Sequence, residues 1–175
     1  MKTKGLLLFL TAAALSIGIY AAGISSSVQA DRDFETFLNH FTNSAAFQYS
    51  RVKFPLKTPI SLMSDDGTTE KKYPFTKEKW PLLTKEILKV SRTVSEGGGV
   101  YISKFTVDTP THKVFEAGYE DSDIDVHVVF DLINGQWFVT DCFIGWYSYD
   151  MSAGELREAI RQVQKQNQTF INAHP

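Results

Sequence analysis

Asp141 is the residue whose type and position raise the sharpest chemical question. It lies in FDLINGQWFVTDCF, residues 130–143, which reads as two strands around a tight turn at Asn134-Gly135. With a two-residue loop, Phe130 opposes Val139, Val128 opposes Asp141 and Val126 opposes Phe143. Ile124, Val126, Val128, Phe130 and Leu132 then share a face with Trp137, Val139, Asp141 and Phe143, and Asp141 is its one polar member. A carboxylate on an apolar face is costly unless bonded. In one reading it projects into a pocket lined by Trp137, Phe143, Val128 and Phe130, where it binds a polar group or acts as a general acid or base. In the other it accepts bonds from a Tyr, an Arg or backbone amides and orders the core, or it lies beyond a bulge and faces water. The structural alternatives weigh more.

Other reactive residue types form weaker patterns. Asp123, Asp125 and His127 alternate along one strand, and D-x-D-x-H can offer two oxygens and a nitrogen to a metal. A solvent-facing polar strand explains Asp125 and His127 more simply, so neither a metal nor a cofactor is expected. His112, in a DTPTH turn, is a second histidine of unknown proximity. Cys142 is the chain's one cysteine; it cannot form an internal disulfide and reads as a small buried residue. Gly97–Gly99 reads as a hairpin turn, because no Lys-Ser/Thr and no helix follow it as a phosphate loop requires. The chain carries no Gly-x-Ser-x-Gly, His-Glu-x-x-His or paired-Cys signature. Trp146, Tyr147 and Tyr149, in GWYSYDM, are candidates for a partner surface, although a strand-to-helix corner also packs such rings.

These residues need elements to position them. Phe34, Phe37, Leu38 and Phe41 fall on one face of a helix with Asp31 or Asp33 as cap, and Ser44 caps a further short helix. KFPLKTPISL holds prolines that confine it to an edge, and Asp66-Gly67 signals a turn between short extended pieces. FTKEKWPLLTKEILKV reads as a helix with Thr76 as a candidate cap and Leu82, Leu83, Ile87 and Leu88 buried; Pro81 is awkward, and either starts the main helix or ends a preceding turn. From Val90 the apolar period becomes two, giving four or five antiparallel strands. Ser152 and Glu155 have capping-box spacing before a tail helix over 152–172 that buries Leu156, Ile160, Val163 and Phe170. That helix is expected to cover the sheet's second face or to serve a dimer. Asn167-Gln168-Thr169 fits a glycosylation acceptor but falls mid-helix.

The ends and the charge bound the setting. Residues 1–30 combine Lys2 and Lys4, a long apolar run and a Val28-x-Ala30 ending, the layout of a secretory signal peptide rather than of a retained anchor. Residues 31–175 would then form a single exported domain, periplasmic or secreted, with no membrane attachment after cleavage. Its removal takes the formal net charge from −2 to −4. A mildly acidic chain without basic clusters is a poor nucleic-acid binder.

The element order, together with NGQWFVTDCF, RVKFPL and WPLL, resembles the secreted Bacteroidetes family called domain of unknown function 4348. That family lies within the nuclear transport factor 2-like, or cystatin-like, cone superfamily. The resemblance implies an α+β cone, with N-terminal helices packed on a curved antiparallel sheet and a C-terminal helix added. It also implies a pocket between sheet and helices, used by some relatives for isomerase or dehydratase chemistry and by many for binding or dimerisation alone. Enzyme status does not travel with a fold. The favoured expectation is a non-catalytic binding module with an apolar pocket for a small molecule or peptide. A pocket enzyme using Asp141 and an envelope assembly or homodimer subunit are the alternatives.

Overall fold

The computed structural model describes residues 32–64 and 66–174, so the expected signal peptide lies outside the described residues. Among the described residues, two helices lead: α1 (Phe34–Asn43) and α2 (Ala45–Ser50). Asp33 caps α1, its Oδ2 accepting from Thr36 N at 2.8 Å, and Ser44 caps α2 by accepting from Phe47 N. A two-stranded hairpin follows, β1 (Ile60–Met63) with β2 (Glu70–Tyr73), turning through Gly67 at φ +68. Then comes the five-stranded antiparallel sheet in sequential order: β3 (Ser91–Val94), β4 (Val100–Asp108), β5 (His112–Tyr119), β6 (Ile124–Ile133) and β7 (Gln136–Ile144). The tail is α3 (Ala153–Ala173), opened by the Ser152–Glu155 capping box.

Helix α1 lies on the inner face of this sheet, and aromatic rings fill the interface. Phe34 stands edge-on to Phe130 at 5.3 Å and to Trp137 at 5.0 Å, and Phe37 edge-on to Phe130 at 6.0 Å. Phe41, Phe115, Phe130, Val128 and Val139 are fully buried around them. The Trp137 indole N–H donates to the Arg32 carbonyl at 2.9 Å, tying β7 to the start of the helical front. This is the α+β cone expected from the sequence.

The helix expected over FTKEKWPLLTKEILKV does not form. One 3-10 turn spans Lys77–Lys79, Thr76 provides no side-chain cap, and the chain then runs irregular through Trp80–Leu83. Pro81 is the cause: it has no N–H to give, and it drives Trp80 to an extended conformation at φ −71, ψ 119. Yet Leu82, Leu83 and Leu88 are buried as expected, Ile87 is partly buried, and Trp80 is buried with them. Buried non-helical backbone needs outside partners, and two amide side chains supply them. Gln48, fully buried, donates to the carbonyls of Phe41 (2.7 Å) and Leu83 (3.0 Å). Its oxygen accepts from Leu83 N (2.7 Å) and the Trp80 indole (2.9 Å). Asn167 of α3 accepts from Leu82 N and donates to the Trp80 carbonyl, both at 2.8 Å. Helix α3 is therefore clamped to this segment rather than to the sheet's second face. The Asn167 amide is buried and occupied at both ends, which removes it from reach as a glycosylation acceptor in the folded chain.

The last hairpin departs from its expected register at one point. Asn134 and Gly135 both have positive φ, +53 and +81, the type I′ turn that their sequence demands. Pairing runs as expected from Ile133–Gln136 to Phe130–Val139, and then a bulge intervenes, so that Val129 pairs with Asp141, Val128 with Cys142 and His127 with Phe143. The inserted residue reverses parity beyond it. Trp137 and Val139 point into the core before the bulge, and Cys142 and Ile144 after it. Asp141 and Phe143 thus leave the inner face. The chain at 51–53 crosses the free edge of β7 here: Lys53 N donates to the Val139 carbonyl (2.9 Å) and Val139 N to the Arg51 carbonyl (2.8 Å). Beyond it, Asp141 accepts from Thr58 through both oxygens, Oδ1 from the backbone N (2.9 Å) and Oδ2 from the hydroxyl (2.8 Å).

Three outcomes test this account. Gln48→Leu strands two carbonyls, an amide and an indole N–H, and chemical denaturation should show a loss of roughly 3 kcal/mol or more; a loss near zero contradicts the role given to Gln48. Asp141→Ala should cost about 1 kcal/mol on the same assay, and Thr58→Val should add little to it in the double variant, because both remove one latch. Hydrogen bonds from the Ser64 and Thr68 hydroxyls and the Thr68 amide hold the Asp66 carboxyl down at about 2. A depressed folded value stabilises above the ordinary carboxylate range and is lost as pH falls through about 2. Carboxyl NMR titration should show Asp66 changing there, and a normal titration removes the hydrogen-bonded turn from the account.

Candidate functional site

The interior pocket expected from strand parity is a filled core. Val128 and Phe130 have no exposure and Trp137 has 1%, and all three pack with the α1 aromatics. Asp141 does not face them. Besides Thr58, its Oδ1 accepts from Cys142 N at 2.9 Å, so both oxygens are committed to local protein donors. Phe143, on the same outer side, is 41% exposed. The proposed constellation of Asp141 with Trp137, Phe143, Val128 and Phe130 is therefore divided between two faces of the sheet.

The other candidates also separate. His127 Nδ1 pairs with Glu116 Oε1 at 3.1 Å across β5 and β6. Asp125 lies beside the Tyr101 hydroxyl and, after burial, adds to the rise of that phenol. Among the described residues, no three His, Cys, Asp or Glu side chains group as metal ligands. Cys142 is buried, and burial with the neighbouring Asp141 charge pushes its thiol well above the ordinary value, which keeps it protonated. At the aromatic corner, Tyr147 is not a surface residue: its ring packs on Phe75 and its hydroxyl donates to the Lys79 carbonyl. Trp146 and Tyr149 are exposed there.

A separate group of polar side chains meets at the turn end of β6 and β7. An open depression of about 690 Å³ lies between the 53–57 segment, the Thr111–His112 corner and the outer side of the hairpin. Asp131 sits in its wall. Its Oδ1 lies 2.7 Å from His112 Nδ1, and its Oδ2 accepts from the Thr140 hydroxyl at 2.5 Å. Burial opposes the charged carboxylate, but the Thr140 and His112 bonds and the charge of Lys57 outweigh it and hold the carboxyl below its usual range. Lys53 and Lys57 line the same depression, and Pro55, Leu132 and Ile133 give it an apolar side. Thr140 comes from the bulge itself and Lys53 from the segment that the bulge engages.

Sequence reasoning missed Lys53, Lys57, Asp131 and Thr140 as a group, and it left His112 without a partner. One signal was present: His112 and Asp131 occupy paired positions on adjacent strands, and opposite residues face the same side. The approach of the 53–57 segment has no local signature.

A family model described only as "-like" matches residues 32–171. No curated protein matches the chain. Among solved structures, a cystatin-like protein from Bacteroides caccae is 58% identical, with a TM-score of 0.80 over 82% of this chain and 95% of that one. A protein from Bacteroides uniformis is 57% identical, with a TM-score of 0.78 over 82% of this chain and 97% of that one. A protein from Bacteroides ovatus is 57% identical, with a TM-score of 0.77 over 84% and 96%. Identity at this level across nearly the whole of those chains shows common descent as well as a common fold, and the chain belongs to this Bacteroides family of cystatin-like proteins.

Proposed function

We propose that this protein is an exported, non-catalytic binding module whose ligand site is the open depression between the 53–57 segment and the β6–β7 turn. The observation that carries the reading is the meeting there of roughly 690 Å³ of open concave volume with a small set of fixed polar groups and an apolar wall. Ligand sites commonly have that size and composition. The ligand class is a small molecule or a short peptide segment. Asp141 is a poor acid/base candidate, because both its oxygens are bonded to protein donors and it leaves the core face. Export rests on the leader pattern of residues 1–30. The motifs RVKFPL and WPLL carry the narrower assignment to the domain of unknown function 4348 family. No helix among the described residues is long and apolar enough to cross a membrane.

A small-molecule and peptide screen followed by amide NMR tests the site. Binding should shift the resonances of Thr111, His112, Leu132 and Thr140, and the compounds should be recovered unchanged. Shifts confined to Trp146 and Tyr149 would move the reading to an assembly surface. Chemical conversion of a compound, abolished by His112→Ala, would replace the non-catalytic reading with an enzymatic one.

A further inference from the structure

The charges around the depression are unequal. Among the described residues that line it, Asp131 is the one carboxylate, and His112 and Thr140 already hold its two oxygens. Lys53 and Lys57 enter no ion pair among the described residues. Lys53 Nζ stands 3.7 Å from the Phe138 ring centroid, a cation–π contact that positions the ammonium without neutralising it. Lys57 lies near enough to Asp131 to help keep that carboxyl ionised. His112 uses Nδ1 on Asp131, and its Nε2 has no partner among the described residues. A side chain anchored at one nitrogen and free at the other is oriented for a ligand. Among the described lining residues, two lysines stand against one bonded carboxylate, an excess of positive charge within a chain that is negative overall.

We infer that the depression selects a small organic carboxylate with an apolar body. The carboxylate faces the ammonium groups of Lys53 and Lys57, and the body lies on Pro55, Leu132 and Ile133. Asp131 sharpens the choice: its negative charge stands beside the same cations, so a singly charged oxyanion is favoured over a doubly charged phosphate. This inference rests on the depression being the ligand site, as proposed above.

Matched pairs separate the two statements: benzoate against benzamide and hexanoate against hexanamide, with inorganic phosphate as a further arm, read by amide NMR on the purified protein. Each carboxylate should shift His112, Leu132 and Thr140 and bind at least fivefold more tightly than its amide. Lys53→Gln and Lys57→Gln should each weaken carboxylate binding several-fold and narrow the preference for acid over amide, the scale set by an exposed charge contact. Raised salt should weaken the carboxylates alone. Equal binding of acid and amide at the depression overturns the carboxylate inference and leaves the site reading standing. Tighter phosphate binding likewise overturns it in favour of a general anion site. Shifts elsewhere, or none with any probe, overturn both.

Discussion

Buried backbone that is neither helix nor strand is the constraint on which this structure turns. Trp80–Leu83 passes through the core, and Pro81 forbids the helix that would satisfy its polar groups internally. Gln48 answers from the front helices and Asn167 from the tail. These two amides join three separated parts of the chain, and each uses both its donor and its acceptor. Apolar burial holds the elements together without direction; the amides decide how α2, the irregular segment and α3 sit on one another. The same segment buries Trp80, whose indole is fixed by Gln48.

The sheet has its own local determinant in the β7 bulge. Before it, Trp137 and Val139 meet the helix aromatics; after it, Cys142 and Ile144 take over the inner face. One extra residue thus turns Asp141 outward to Thr58, while Thr140 keeps the outer face that it shares with Asp131. It coincides with the place where residues 51–53 pair with Val139, so that the crossing chain, the bulge and the depression form one local arrangement.

Much of the fold was legible because its signals are local. Asp33 and Ser44 announce helix starts, Asn134-Gly135 a type I′ turn, Ser152 and Glu155 a capping box, and period-two apolarity the sheet. The helix wrongly expected after Thr76 shows the limit: the apolar spacing of Leu82, Leu83 and Leu88 reports burial, and it was Pro81 that reported conformation. The candidate site was less legible. Parity counted from a turn holds only until a bulge, and no residue type around Thr140 marks one. Lys53 and Lys57 reach the depression through tertiary placement of a proline-bearing segment, which no spacing encodes. His112 and Asp131 were recoverable only after β5 and β6 had been paired.

The crossing segment at 51–53 has a consequence for how copies of this chain can meet. The two margins of the five-stranded sheet are not alike. At β7 the backbone groups of Val139 are already taken by Arg51 and Lys53, so a foreign strand cannot lie along that margin without first displacing the chain's own. At β3 the margin is four residues long and carries Arg92, engaged with Glu120. Continuous sheet growth needs two open margins on every copy, one to add and one to receive. A margin already paired at Val139 offers a second copy less continuous backbone to add to, so edge-to-edge pairing of identical sheets is disfavoured at β7 relative to β3.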